Sequence, residues 1–257
     1  MIILLAGTLD GRTIAGQLTA DGYKVIVTTV SEYGGVLAAE SGVEVLVKAL
    51  SDKDLTALIK TKGADAIVDC THPYACEIST MAQVVAKHTG IHYIRYERPP
   101  TEKREKKHIY YATSWNEAAE QAAALAEVIF LTTGSRNLAD FLQQPAIRSK
   151  RVIARVLPDP EVMLRCQSLG LLPRDIIAMQ GPFSYAMNKV MFADYEAQVV
   201  VTKDAGVIGG TDTKMAAARD LGIPVVVVRR PEIEYSCVAA NYTEVKQILE
   251  NCMRRGR

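Results

Sequence analysis

The first twelve residues, 1–12, read MIILLAGTLDGR. Apolar side chains fill positions 2–6, and a turn that contains Gly7 and Gly11 follows. A short, continuous apolar run of this kind is typical of a strand that is buried on both faces. No basic segment precedes the run, so a signal peptide is not expected. The stretch therefore predicts a buried strand, a tight turn and then a helix.

The same alternation continues along the chain and predicts two doubly wound α/β domains. Further apolar runs predict strands at 24–29, 43–47, 65–69, 91–95, 128–133, 151–156, 174–179, 197–202 and 224–228. Segments of helical period lie between them, at 11–20, 52–62, 76–88, 135–143, 159–168, 184–193 and 211–221. Buried strands that alternate with amphipathic helices indicate parallel sheets. The polar segment RPPTEKREKKH at 98–108 is the seam, which gives Rossmann-like parallel-sheet domains at 1–115 and 116–257 with a ligand cleft between them.

Composition excludes several classes of function. The 30 Lys and Arg residues balance 29 Asp and Glu residues, so the chain has no overall field to attract nucleic acid or an anionic membrane. Its apolar runs are too short to span a bilayer. Five cysteines at scattered positions form no regular disulfide framework, which favours a reducing, cytoplasmic location.

Ligands of open α/β sheets bind beyond the carboxyl ends of the strands, and the first domain carries suitable residues there. Gly7, Thr8, Gly11 and Arg12 follow the first strand, where glycines and a helix N-terminus suit a pyrophosphate. An ordinary strand–helix turn would have the same spacing. The end of the second strand carries Thr28, Thr29, Ser31 and Glu32, which suit either a ribose or a 2′-phosphate. The phosphate state of a bound dinucleotide therefore stays open.

The fourth strand is followed by DCTHPYACEIS at 69–79, which allows three interpretations. Cys70, His72 and Cys76 supply only three ligands for a metal, and a Cys–His nucleophilic pair needs a geometry that local spacing does not create. Cysteines that pack beside a helix are the favoured alternative, so no metal site is predicted. Pro73 holds His72 in an extended conformation at the edge where a ligand would lie.

Three loops of the second domain fall at the corresponding edge. Thr132, Thr133, Gly134 and Ser135 follow its first strand, while 180–184 (QGPFS) and 202–206 (TKDAG) follow its third and fourth strands. Each loop has the composition of a simple capped helix start. Several such loops at one edge favour a binding site instead.

Seven motifs occur in order along nearly the whole chain: GTLDGR, VDCTHPYACEIS, IRYERP, TTGSRNL, MQGPFSYAMN, VTKDAGVIGG and KMAAARDLGIPVVVVRRP. Together they resemble the precorrin-6A reductase family of cobalamin biosynthesis. The sequence departs mildly from the family pattern at Ala6, Asp10 and Tyr74. The resemblance implies an oxidoreductase that transfers a hydride from NADPH or NADH to one double bond of a precorrin macrocycle, with or without cobalt.

The resemblance also implies roles for the residues at these edges. The pyrophosphate would lie on Gly7, Thr8, Gly11 and Arg12, with the ribose near Thr29 and Ser31; the loop of Thr133, Gly134 and Ser135 is the second choice for the cofactor. The nicotinamide would reach His72, Pro73 and Tyr74. Residues expected to meet the carboxylate-rich macrocycle are Tyr74, Arg95, Arg98, Gly181, Phe183, Ser184, Lys203, Asp204 and Arg229, with Arg230 as a further candidate. The basic run 103–107 would either contact the substrate or form a solvated linker.

Lys203 and His72 are the rival candidates for the proton donor that completes the reduction. Two other classes of function remain open from the sequence. One is a dinucleotide-binding sensor without catalysis, and the other is a tetrapyrrole methyltransferase that binds S-adenosylmethionine. The sequence leaves open whether the protein is a monomer or a homodimer.

Since Cys70 and Cys76 are interpreted as packing residues, Cys76→Ala should keep at least half of the reductase activity. Activity and metal content of the purified proteins would be measured before and after chelation. Bound zinc that leaves together with activity would contradict the prediction.

Overall fold

The structure is a computed structural model that describes residues 1–40, 42–97, 108–204 and 211–255. The strands of the described residues are β1 (Ile2–Leu5), β2 (Val25–Thr29), β3 (Glu44–Val47), β4 (Ala66–Asp69), β5 (His92–Tyr96), β6 (Ile109–Ala112), β7 (Val128–Leu131), β8 (Arg151–Val156), β9 (Ile176–Ala178), β10 (Val199–Lys203), β11 (Val225–Val228) and β12 (Val238–Ala239). The helices are α1 (Leu9–Ala20), α2 (Glu32–Ala39), α3 (Asp52–Lys62), α4 (Cys76–Thr89), α5 (Trp115–Leu125), α6 (Leu138–Leu142), α7 (Pro160–Ser168), α8 (Tyr185–Asp194), α9 (Thr211–Asp220) and α10 (Tyr242–Arg255).

The strands form two six-stranded sheets in which all pairs are parallel. The first has the order β12-β5-β4-β1-β2-β3, and the second has the order β6-β11-β10-β7-β8-β9. The direction of winding reverses between β1 and β4 in the first sheet and between β7 and β10 in the second. These reversals are the topological switch points at which open α/β sheets bind ligands.

The predicted fold class is confirmed, and so are all ten predicted strands. Strands β1, β2, β4, β10 and β11 are buried along their whole length, which agrees with their continuous apolar sequences. The additional strands β6 and β12 lie at the sheet edges, where pairing on one side allows a short or mixed sequence.

The chain divides into units that differ from the predicted boundary at 115/116. The first unit takes its described residues from 1–99 and 231–257, and the second takes its residues from 100–230. The reason is backbone pairing: β6 pairs with β11, while β12 pairs with β5. The amides of Arg95 and Glu97 donate to Cys237 and Ala239, each at 2.9 Å, so the segment after residue 230 returns to the first sheet.

The returning segment also supplies α10, whose Val245 and Leu249 are fully buried in one core cluster with Ile2 and Leu4 of β1. The hydroxyl of Tyr242 donates to Asp21 at 2.6 Å, just beyond the end of α1.

Every helix among the described residues is too short or too polar to cross a membrane.

Leu249→Ala should lower the free energy of unfolding by about 2–5 kcal/mol, because it removes a fully buried side chain from the core of the first unit. Gln247→Ala, two residues earlier on the exposed face of α10, is the matched control and should change it by less than about 0.5 kcal/mol. Urea denaturation followed by circular dichroism gives both values. Equal effects of the two changes would show that α10 does not pack on the first sheet.

Candidate functional site

Two loops of the first unit meet at its switch point. The loop after β1 contains Gly7 and Thr8, and the loop after β4 begins at Cys70. The Thr8 hydroxyl donates to the carbonyl oxygen of Cys70 at 3.2 Å. A Cβ added to Gly7 would have only the amide nitrogen of His72 within 4 Å, at 3.9 Å. The phosphate-type loop and the His72 turn are therefore neighbours, with open space beside Gly7.

The two glycines of the first loop have different surroundings. Gly7 is exposed, whereas a Cβ on the buried Gly11 would lie 3.2 Å from Cβ of Ala6 and 3.3 Å from Cβ of Cys70. The Gly11 amide donates to the Thr8 hydroxyl at 3.3 Å, so the Thr8 side chain caps α1. Gly11 thus allows α1 to pack closely on the strands, and Gly7 is the position that a ligand can approach.

Arg12, Thr29 and Ser31 lie around this loop. Arg12 is half-buried and lines a groove between α1 and α2 together with Leu9 and Leu37. The buried Thr29 donates its hydroxyl to the carbonyl oxygen of Ser31 at 3.3 Å. The exposed Ser31 caps α2 by accepting from the Gly34 amide at 3.1 Å. Ser31 therefore remains accessible at the edge, while Thr29 is mainly internal.

The turn after β4 holds His72 by main-chain contacts. The Ala75 amide donates to the His72 carbonyl oxygen at 2.7 Å, and the Tyr74 amide donates to His72 Nδ1 at 3.3 Å. Because Nδ1 accepts in this arrangement, the proton of a neutral ring is assigned to Nε2. The His72 and Tyr74 rings lie 5.4 Å apart, and both side chains and Pro73 are half-buried.

Arg95 lies in the core, which disagrees with its predicted contact with a substrate. Its side chain is 0% exposed and forms an ion pair with Asp69 at 3.0 Å and one with Glu97 at 3.3 Å. Arg95 lies inside β5, which pairs with β4 on one side and with β12 on the other, so the position that looked like a strand end is covered by the protein. The predicted contact of Arg98 lies outside the described residues, as does the basic run 103–107.

The two cysteines that flank the His72 turn differ in burial, and Cys76 is only half-buried. Cys70 is buried, and burial raises the pKa of its thiol well above the ordinary value. Such a thiol is a poor nucleophile and a poor metal ligand. The described residues contain no group of three or more His, Cys, Asp or Glu side chains that could hold a metal ion.

In the second unit, Lys203 joins the two loops of the switch point. Its side chain is 9% exposed, and Nζ donates to Asn137 Oδ1 at 2.9 Å. The ammonium group also lies 5.2 Å from the centre of the Trp115 ring. Burial, with a contribution from Arg136, lowers the pKa of Lys203 to about 8. This value suits a group that exchanges a proton near neutral pH.

The loop after β7 carries Thr133, Gly134 and Ser135. Thr133 is buried, and Gly134 has a φ of 73°, a backbone conformation that favours glycine. The preceding residue, Thr132, donates its hydroxyl to the carbonyl oxygen of Val201 in β10 at 3.1 Å. The loop is therefore held against β10 and ends beside the Asn137 partner of Lys203.

Two further buried cations, Arg155 and Lys214, lie near the loop after β9. The guanidinium of Arg155 lies 3.8 Å from the centre of the Phe183 ring and donates to Asn188 Oδ1 at 2.8 Å. Lys214 of α9 is 8% exposed and lies 3.4 Å from the Thr202 hydroxyl. Within the described part of the chain, neither cation forms an ion pair with a carboxylate.

Burial lowers the pKa of Arg155 to about 10, and burial together with Arg155 lowers the pKa of Lys214 to about 8. Gly181 lies against the Phe183 ring, because an added Cβ would come within 3.0 Å of it. Ser184 caps α8 by accepting from the Met187 amide at 3.1 Å. The loop thus holds the Phe183 ring over the buried Arg155 guanidinium.

Asp204, Arg229 and Arg230 lie at the carboxyl ends of β10 and β11. Arg230 donates from Nε to the Asp204 carbonyl oxygen at 2.9 Å and lies 3.9 Å from the Asp204 carboxylate. Arg229 is exposed, with its guanidinium 5.2 Å from the centre of the Tyr111 ring. Arg229 is therefore the more accessible of the two arginines.

Five residues at these two sites were not predicted from the sequence: Asp69, Trp115, Asn137, Arg155 and Lys214. Arg155 could have been identified from the sequence, because it is a charged residue inside the apolar run RVIARV at 151–156. A charged residue inside a buried strand needs a partner or a function. Lys214 had no such signal, since it lies on an ordinary amphipathic helix.

Comparisons with known proteins identify the family. Residues 1–253 match the family described as precorrin-6x reductase CbiJ/CobK. The chain is 39% identical to a cobalt-precorrin-6A reductase of Priestia megaterium over 99% of this chain and all of that protein. It is 37% identical to a cobalt-precorrin-6A reductase of Methanothermobacter thermautotrophicus, over 90% of this chain and 77% of that protein.

A precorrin-6A reductase of Rhodobacter capsulatus is 26% identical over 90% of this chain and 88% of that protein. A solved structure titled CobK precorrin-6A reductase has a TM-score of 0.79 at 24% identity and covers 98% of this chain and 96% of its own. At that identity the structural likeness supports the fold. The family match across almost the whole length shows that the chain belongs to the precorrin-6x reductase family.

Proposed function

We propose that the protein reduces one double bond of the cobalt-precorrin-6A macrocycle with a hydride from NADPH, as a step of cobalamin biosynthesis. The observation that carries the proposal is the family match over residues 1–253. The relatives at 39% and 37% identity are named cobalt-precorrin-6A reductases, whereas the relative at 26% is named a precorrin-6A reductase. This difference favours the cobalt-containing substrate.

The first unit is the proposed dinucleotide-binding unit. Gly7 leaves open space at a switch point, and the amides of the first turn of α1 favour a negatively charged group. Thr8, Gly11 and Arg12 complete the loop, and the accessible Ser31 suits the ribose or its 2′-phosphate. A bound nicotinamide would supply the hydride, and the residues of the chain would orient it beside His72, Pro73 and Tyr74.

The second unit is the proposed binding unit for the carboxylates of the substrate. Arg155 and Lys214 are buried and have no carboxylate partner among the described residues, which is costly because burial and their mutual repulsion disfavour the charged forms. A carboxylate of the ligand beside Arg155 and Lys214 would offset that cost. Phe183, Ser184, Asp204 and Arg229 lie at the same edge as further contacts, and Gly181 shapes the loop.

Lys203 is the proposed proton donor, with His72 as the alternative. A pKa of about 8 leaves Lys203 mostly protonated at neutral pH and still able to release its proton. His72 Nδ1 accepts a long hydrogen bond of 3.3 Å from the Tyr74 amide, and the proton of a neutral ring is assigned to Nε2. Thr133, Gly134 and Ser135 hold the Asn137 partner of Lys203 in place, which gives that loop a positioning role.

The direct experiment follows the absorbance of purified cobalt-precorrin-6A and of NADPH during turnover by the purified protein. Equimolar consumption of the two is expected, with NADH and the cobalt-free substrate as comparisons. Thermal shifts should be larger with NADPH than with S-adenosylmethionine. Binding of NADPH without reduction of either substrate would favour a dinucleotide sensor.

Gly7→Val should weaken NADPH binding at least tenfold and leave the unfolding midpoint nearly unchanged, because the added side chain projects into open space at the pyrophosphate loop. Gly11→Val is the matched control. It should lower the unfolding midpoint, since its side chain would meet Ala6 and Cys70. Calorimetric titration and thermal unfolding measure the two effects. Unchanged affinity in folded Gly7→Val would move the cofactor to the loop of Thr133, Gly134 and Ser135.

If Lys203 donates the proton, turnover should fall as the pH rises through about 8, because the donor must be protonated. Lys203→Arg should lower kcat at least tenfold and remove this alkaline limb, since an arginine does not titrate there. Lys214→Arg controls for the other lysine with a pKa of about 8 and should keep the limb. If Lys203→Arg raises KM and leaves kcat unchanged, Lys203 would instead be a contact for a substrate carboxylate. If it weakens the binding of NADPH more than that of NADH, Lys203 would contact the cofactor.

A further inference from the structure

A buried polar network lies directly beneath the His72 turn. Asp69, the last residue of β4, is fully buried and accepts hydrogen bonds on both carboxylate oxygens. Oδ1 accepts from the Thr71 amide at 2.9 Å, the Thr71 hydroxyl at 2.6 Å and Arg95 at 3.0 Å. Oδ2 accepts from the Tyr93 hydroxyl at 2.6 Å. Asp69 thus joins β5 to the first residues of the turn.

The network extends to α4 and to the returning C-terminal segment. The Thr71 and Ser79 hydroxyls lie 3.2 Å apart, which ties the turn to the first part of α4. The ring of Tyr235 stacks on Tyr93 with centres 6.4 Å apart, and its centre lies 5.3 Å from the Arg95 guanidinium. Elements from three parts of the sequence therefore converge on one turn.

Stability alone does not account for this arrangement. Replacing a buried ion pair by apolar residues is often neutral or stabilising, so an Arg95–Asp69 pair in the core is a poor device for stability. One guanidinium nitrogen, Arg95 Nη2, has no hydrogen-bond partner within the described residues. The network instead restricts the conformation of the His72 turn, because several hydrogen bonds that converge on one carboxylate allow few alternative conformations of the turn.

We propose that Asp69, held by Arg95 and Tyr93, is a positioning residue that fixes the His72 turn through Thr71. The proposal rests on the proposed function, in which the turn orients the nicotinamide. Asp69 and Arg95 touch neither ligand and act only through the turn. Hydride transfer depends steeply on the separation of the reacting atoms, and a displacement of about 1 Å can reduce the rate about 10²-fold.

Thr71→Val and Tyr93→Phe each remove a hydroxyl that bonds to Asp69. Both should lower kcat at least tenfold, while the NADPH dissociation constant changes less than threefold. With NADPH deuterated at the transferred position, the isotope effect on kcat should increase, because hydride transfer becomes slower relative to the other steps. Thr71→Ser keeps the hydroxyl and should recover most of kcat.

Tyr242→Phe is the matched control for Tyr93→Phe. It removes a tyrosine hydroxyl that donates to a carboxylate at the same distance of 2.6 Å, but at Asp21, beyond the far end of α1. It should leave kcat and the isotope effect unchanged. The unfolding midpoint of each variant separates loss of stability from loss of positioning.

Unchanged kcat and isotope effect in folded Thr71→Val and Tyr93→Phe would overturn the positioning role. Equal losses of kcat in Tyr93→Phe and Tyr242→Phe would do the same, since they would trace the effect to general destabilisation. If Thr71→Val fails to fold, Tyr93→Phe decides the question. A failure of the proposed function would look different, because the unaltered protein would then reduce neither precorrin substrate.

Discussion

The parallel pairing of β1 with β4 is the constraint on which the first unit depends. Parallel strands need crossover connections, and those connections wind in opposite directions on either side of this pair. The two loops that leave these strands therefore lie side by side at the switch point. The exposed Gly7 and the half-buried His72 occupy it because of strand order. The corresponding pairing of β7 with β10 brings Lys203 to the Asn137 loop in the second unit.

Much of the fold could be predicted from the sequence because its strands are buried on both faces and therefore read as uninterrupted apolar runs. Of the edge strands, β6 and β12 escaped prediction because their sequences are mixed or very short. Strand β12 has two residues, and its place in the first sheet depends on pairing with β5, about 140 residues earlier. The boundary at 115/116 followed from a composition change, whereas the pairing of β6 and β12 sets the observed units.

The candidate site could be predicted in its loops but not in its buried charges. Gly7, His72 and Lys203 follow apolar runs, so the rule for carboxyl ends of strands located them. Whether a basic side chain faces solvent or the core depends on tertiary packing. Arg95 and Arg155 both occupy apolar strands, yet Arg95 has carboxylate partners and Arg155 has an amide and aromatic rings. A single sequence does not distinguish these surroundings.

The return of the chain to the first sheet has a consequence for the order of events during synthesis on the ribosome. Residues 100–230 emerge as one continuous block, so the second unit has all of its strands before β12 and α10 exist. Strands β1 to β5 of the first unit are made before this block. The outer edge of β5 nevertheless stays unpaired until residues 238–239 have been made. An unpaired parallel edge is prone to association with other chains. The first sheet is thus completed only after the whole second unit has been made, although five of its six strands precede that unit in the chain.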